Sequence, residues 1–131
     1  DNEIAYNEAN WVGAGVFING SSPSLADNWI HHNSGNEGSG VSANQSAAEI
    51  SGNIIEHNSA NWRGGGLALE DQTTATLAAN VIRDNDAQWE GGGLLGGRAL
   101  ADDSPPWDSG IAAGAPTRAG WFPQLCVGMA A

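Results

Sequence analysis

Four segments of this chain follow the pattern N-x-I-x-x-N. They begin at Asn2, Asn28, Asn53 and Asn80, at successive spacings of 26, 25 and 27. Each ends on a second Asn, at Asn7, Asn33, Asn58 and Asn85. A glycine cluster then follows and closes on Val16, Val41, Leu67 or Leu94. This period is too short for the common two-helix repeats, which need about 33 residues or more. Apolar residues also alternate with period two, as in Val16 and Ile18 or Leu67 and Leu69, and this is the spacing of strands. In the third unit the pattern predicts strands at residues 65–69, 74–79 and 81–84, with a loop at 70–73 and a bend at Asn80. Three short strands per unit make a coil.

Stacked coils set each strand parallel to its counterpart one repeat later, about 4.8 Å away, so that like residues lie on like. Ile4, Ile30, Ile55 and Ile82 then form one interior ladder. Val16, Val41, Leu67 and Leu94 form a second, and Leu25, Ile50 and Leu77 a third. The Asn columns, Asn28, Asn53 and Asn80 and again Asn33, Asn58 and Asn85, are expected at the bends. Asn accepts a left-handed backbone there, and its amide can bond the Asn above and below. These ladders read as structural.

Composition narrows the partners. The chain carries 15 Asp and Glu against 4 basic residues, none of them Lys, for a formal net charge of -11. That charge repels nucleic acid and anionic membranes, and it would draw a divalent cation wherever carboxylates converge. No cofactor is expected, a divalent cation aside. The lone Cys126 forms no internal disulfide, and no apolar run reaches the roughly 18 residues of a membrane span. The chain opens at Asp1 directly before a repeat motif, which reads as a piece of a longer solenoid.

The motif I-x-x-N-x-A followed by G-G-G-[IL] resembles the parallel β-helix repeat of the pectin-lyase-like superfamily. It is also similar to the repeats of polymorphic outer-membrane proteins, with Ile here in place of Phe. The resemblance covers residues 1–96. It implies an all-β, right-handed, single-stranded parallel β-helix of about four coils, each 25–27 residues long, in an extracellular or bacterial cell-surface protein. Polysaccharide lyases of that fold pair a bound calcium or another charge-neutralising group with an Arg or Lys base. The coils here hold only Arg63 and Arg83. Glycoside hydrolases of that fold use Asp clusters on one strand face, and the coils lack such a cluster.

Beyond residue 96 the period predicts an aliphatic residue near 104 and an Asn near 107, where the chain has Ser104 and Trp107 around two prolines. Residues 97–131 are therefore expected to be irregular: a cap, a linker or an artefactual reading frame.

Outward columns are where chemistry is sought. His32, His57 and Asp84, with Tyr6 ahead of them, share the position before the second Asn. Two imidazoles and a carboxylate can bind a transition metal if they converge, although flat ladders suit this poorly. The next column runs Ala5, His31, Glu56 and Arg83, and it predicts an exposed Glu56–Arg83 pair. Trp11, Trp62 and Trp89 occupy equivalent turn positions, with Glu37 interrupting the column. A flat aromatic pair among amides and acids suits a sugar ring, and the alternative is a ladder that covers the turn. The leading expectation is a non-catalytic module for adhesion or carbohydrate binding. A fragment of a polysaccharide lyase or glycoside hydrolase comes second and a structural spacer third.

Overall fold

The computed structural model describes residues 1–96 together with the strand Leu100–Ala101; the other expectations for the tail lie outside the described residues. The chain winds into about four coils whose strands gather into four sheets, here lettered in the order in which the second coil passes through them. Sheet A holds Glu3–Ala5, Trp29–His31, Ile54–Glu56 and Val81–Arg83. Sheet B holds Ser34–Glu37, Ser59–Arg63 and Asp86–Ala87. Sheet C holds Val16–Asn19, Val41–Asn44, Leu67–Glu70 and Leu94–Gly96, and sheet D holds Ser24–Ala26, Glu49–Ser51, Thr76–Ala78 and Leu100–Ala101.

Every strand pair is parallel and joins equivalent positions of successive coils: Ile30 to Ile55 and Ile55 to Ile82 in sheet A, Val41 to Leu67 and Leu67 to Leu94 in sheet C, Ile50 to Leu77 in sheet D. Ile30, Ile55, Ile82, Val41, Leu67, Ile50 and Leu77 are buried, and Ile4, Val16 and Leu25 pack against them from the first rung. The three expected ladders are therefore the core. Sheet D also runs past residue 96, because Leu77 pairs with Ala101.

Two expectations need correction. The coil has four strands rather than three, since a short strand of sheet B follows the second Asn. Its inward residues are Gly35, Ala60 and Ala87, which are too small to register as an apolar stripe. Alternation nevertheless holds, with exposed Ser34, Ser59 and Asp86 before them.

The bends are the second correction. The left-handed residue is the one before each Asn, not the Asn itself. Tyr6, His32, His57 and Asp84 have φ between 51° and 57°, as do Asp27 and Ala79 near the other bend, where Gly52 takes 66°. The Asn side chains turn inward instead. Asn58 Oδ1 accepts from the Asn33 backbone N–H at 3.0 Å and from Asn33 Nδ2 at 2.9 Å. Asn58 Nδ2 donates to Asn85 Oδ1 and to the Ile30 carbonyl, both at 3.0 Å. Asn53 makes the matching bonds to Asn28 and Asn80. Each left-handed non-glycine residue costs roughly 1 kcal/mol, and the buried amide ladder next to it offsets that cost.

Candidate functional site

Sheet B carries the aromatic column on its outer side. Its register runs Ser34 to Ser59 and Gly35 to Ala60, then slips through a bulge so that Glu37 pairs with Arg63. The second coil is short by one residue here, so Asn36 faces both Asn61 and Trp62. Glu37 therefore does not interrupt the Trp column, contrary to expectation. It belongs to the next column, which continues through Arg63 to Glu90. Trp62 and Trp89 are stacked neighbours, their rings 6.2 Å apart and inclined by 21°. Both are exposed, Trp62 at 37% and Trp89 at 63%. Trp11 is also exposed but stands two rungs from Trp62, about 10 Å away.

An amide ladder borders the stack. Asn61 Nδ2 donates to Asn36 Oδ1 at 3.0 Å and Gln88 Nε2 to Asn61 Oδ1 at 3.4 Å, all on the surface. A charged cluster lies on the other side. Arg63 binds Glu37 Oε1 through Nε at 3.1 Å and Nη2 at 2.6 Å, and Nη2 reaches Glu70 Oε1 at 3.5 Å across the glycine turn. Hydrogen bonding to Glu37 holds the Arg63 pKa above its ordinary value. Burial, aided by the nearby Glu37 charge, pushes the Glu70 carboxyl above its ordinary value, and its Oε1 is buried without a hydrogen-bond partner.

Sheet A presents the second cluster. Arg83 Nε donates to Glu56 Oε2 at 2.6 Å, so the expected pair forms. The column is not open to solvent as expected, however, because His31 and Glu56 are buried. Trp29 covers them. Its ring centre lies 3.9 Å from that of His31, and its Nε1 donates to Glu56 Oε1 at 2.8 Å. Burial opposes ionisation of Glu56, but the bonds from Arg83 and Trp29 outweigh it and hold the carboxyl below its ordinary value. The metal candidates form a column rather than a cage: Tyr6 stacks on His32 at 5.1 Å, His32 lies 5.3 Å from His57, and Asp84 is one rung further. Among the described residues no three His, Cys, Asp or Glu side chains are gathered to hold an ion.

The two perturbed carboxyls give opposite pH dependences. Glu70 has a raised value in the folded chain, so its contribution is present below the unfolded value and lost as pH rises through the folded one. Glu56 has a lowered value, so its contribution is present above the unfolded value and lost as pH falls through the folded one. At pH 7, Glu70→Gln is expected to raise stability, because it removes a charge that burial and Glu37 disfavour, and Glu56→Gln to lower it, because it removes the charge that Arg83 and Trp29 stabilise. Both differences should shrink towards pH 3. Thermal unfolding at the two pH values measures this, and differences that do not change with pH would contradict the assignment.

A family model described as right-handed beta helix region matches residues 1–101. The chain belongs to the right-handed β-helix family. No curated protein and no solved structure matches it. The likeness to pectin-lyase-like repeats agrees with this membership and with the four parallel sheets. Among the described residues of this β-helix, no helix is long and apolar enough to cross a membrane.

Sequence reasoning placed Trp62 beside Trp89 but missed Trp29, although the signal was available. Trp29 lies two residues before His31 and therefore on the same outward face, one rung from the Glu56 strand. Beside it the β-helix has an open groove of about 490 Å³ bordered by Glu3, Asp27, Trp29 and Ile54.

Proposed function

We propose that this β-helix is a non-catalytic, secreted or cell-surface module that binds carbohydrate on the Trp62–Trp89 face and so supports adhesion. The observation that carries the reading is the stacked, exposed indole pair. The apolar face of a pyranose ring packs on such a surface, while its hydroxyls find acceptors and donors on either side. Asn36, Asn61 and Gln88 supply amides along one edge, and Arg63 with Glu37 supplies charge along the other. The net charge of -11 turns the module away from nucleic acid.

A glycan array followed by titration of the best ligand tests this reading. Trp62→Ala and Trp89→Ala should each weaken binding about tenfold, or about 1.4 kcal/mol, and Trp11→Ala should leave a short oligosaccharide unaffected. Absence of binding to any glycan, or unchanged affinity in both variants, would refute it. One observation favours a second reading, an enzyme that cleaves polysaccharide: the Glu70 carboxyl, held above its ordinary pKa, lies beside Arg63 next to the platform. Chain shortening or unsaturated products from uronic-acid polymers would support that reading. Silence in both assays leaves a structural spacer.

A further inference from the structure

The three histidines are not equivalent, and the difference between them is chemical. His31 Nε2 lies 2.9 Å from Glu3 Oε1, and His31 Nδ1 lies 2.8 Å from His32 Nδ1. An ionised carboxylate only accepts hydrogen bonds, so His31 must carry its proton on Nε2. With His31 in its neutral form the Nδ1 lone pair faces His32, and the 2.8 Å contact is then a bond donated by the His32 Nδ1–H. His32 is left with a bare Nε2. His31 is buried while His32 is exposed, so the relay runs from the sheet surface outward. A metal-binding imidazole characteristically donates its other ring N–H to an acceptor that fixes its orientation, and His31 Nδ1 is placed to be that acceptor for His32.

His57 stands on the next rung in the same backbone conformation, with φ of 53° against 52° for His32. The two rings are 5.3 Å apart and inclined by 38°, and both are exposed. Bonds of about 2.0–2.1 Å to a tetrahedral ion require the two nitrogens to be about 3.4 Å apart, which a rotation of the exposed His57 ring can supply. Tyr6, stacked on His32 from the preceding rung, limits how far that ring can swing. We infer that His32 and His57 form a two-imidazole site for a borderline divalent transition ion, with water completing the shell and the Glu3–His31 relay positioning His32. A paired-imidazole set selects zinc, nickel or copper over calcium and magnesium. The site is independent of the Trp62–Trp89 face, which lies on a different sheet.

Zinc chloride titrated into the full chain at neutral pH, followed by calorimetry and by the imidazole proton resonances, tests the inference. One zinc per chain is expected, with shifts confined to His32, His57 and their neighbours and none on adding magnesium. His32→Asn and His57→Asn should each reduce affinity at least tenfold. Asn suits both positions because it accepts a left-handed backbone, so the variants should keep the wild-type circular dichroism and melting point. Glu3→Gln touches no ion and should still weaken binding about 10-fold to 100-fold if the relay orients His32. Failure to take up zinc at millimolar concentration, or equal affinity in His32→Asn, would overturn the site. Equal affinity in Glu3→Gln would overturn the relay.

Discussion

Asn58→Ala is expected to destabilise the chain by about 3–5 kcal/mol, a large part of the roughly 5–15 kcal/mol that holds a domain together. The side chain removed is almost fully buried and bonded in two directions. Its loss leaves the Asn33 backbone N–H without an acceptor and the Ile30 carbonyl without this donor, and Asn33 Nδ2 keeps only its bond to the Ile4 carbonyl. These groups are shielded from solvent, so each loss carries close to its full desolvation cost. A solenoid coil contacts only its neighbours, which makes a break in one rung hard to compensate elsewhere. Asn36→Ala removes a half-buried member of the outer amide ladder, whose side-chain bonds lie at the surface, and should cost no more than about 1 kcal/mol. Denaturant unfolding of the two variants side by side measures the contrast. A loss under about 1 kcal/mol in Asn58→Ala would mean that the interior ladder is not a main source of stability.

The same ladder shows what can and cannot be read from the residues. Column identity was legible: a near-constant period with Ile and Asn at fixed places leaves little choice of register, and Ile30, Ile55 and Ile82 stack as expected. The position of the left-handed residue was not legible. His, Asp, Tyr and Ala occupy it at every bend but the one with Gly52, and none of these shows the strong preference that Gly does. Inward Asn is the real signature, because a polar side chain can be buried in a column only if its neighbours satisfy it. The sheet B strand was hidden because Gly35, Ala60 and Ala87 carry so little apolar surface.

At the candidate site, stacking was predictable from the period, whereas lateral contacts were not. Trp62 and Trp89 lie one repeat apart and meet as column neighbours. Arg63 and Glu70 lie on different sheets and meet only because the chain reverses through a glycine turn, where Gly64 has φ of 62°. The Glu70 shift follows from that turn. Its carboxyl faces Arg63 in a site where burial and Glu37 both disfavour ionisation. No column pattern encodes such a contact, and the same holds for Trp29 lying over His31 and Glu56.

Gly66→Ala should be at least as damaging as Asn58→Ala, and it bears on function directly. Gly66 has no positive φ, so its glycine is required by space rather than by backbone conformation. A Cβ there would lie 2.5 Å from the Gly93 carbonyl oxygen and 2.7 Å from Asn85 Nδ2. Gly93 O accepts the ladder bond from the Leu67 N–H at 2.9 Å, and the Asn85 amide belongs to the interior ladder. Neither is the free end of a flexible side chain, so the third and fourth coils would have to separate. A cost above about 3 kcal/mol is expected, in the range of severe overpacking. Gly20→Ala provides the contrast: its φ is 59° but nothing lies within 4 Å, so only backbone strain of roughly 1–2 kcal/mol is incurred. Trp62 and Trp89 precede Gly66 and Gly93 by four residues each, on the two coils that would part. Any folded Gly66→Ala chain should therefore lose the indole stack along with the rung spacing, and glycan affinity should fall with it. Unfolding curves and glycan titration of the two glycine variants test both halves. A Gly66→Ala chain as stable as Gly20→Ala, with the affinity of the parent, would show that the close backbone stacking does not set the geometry of the aromatic face.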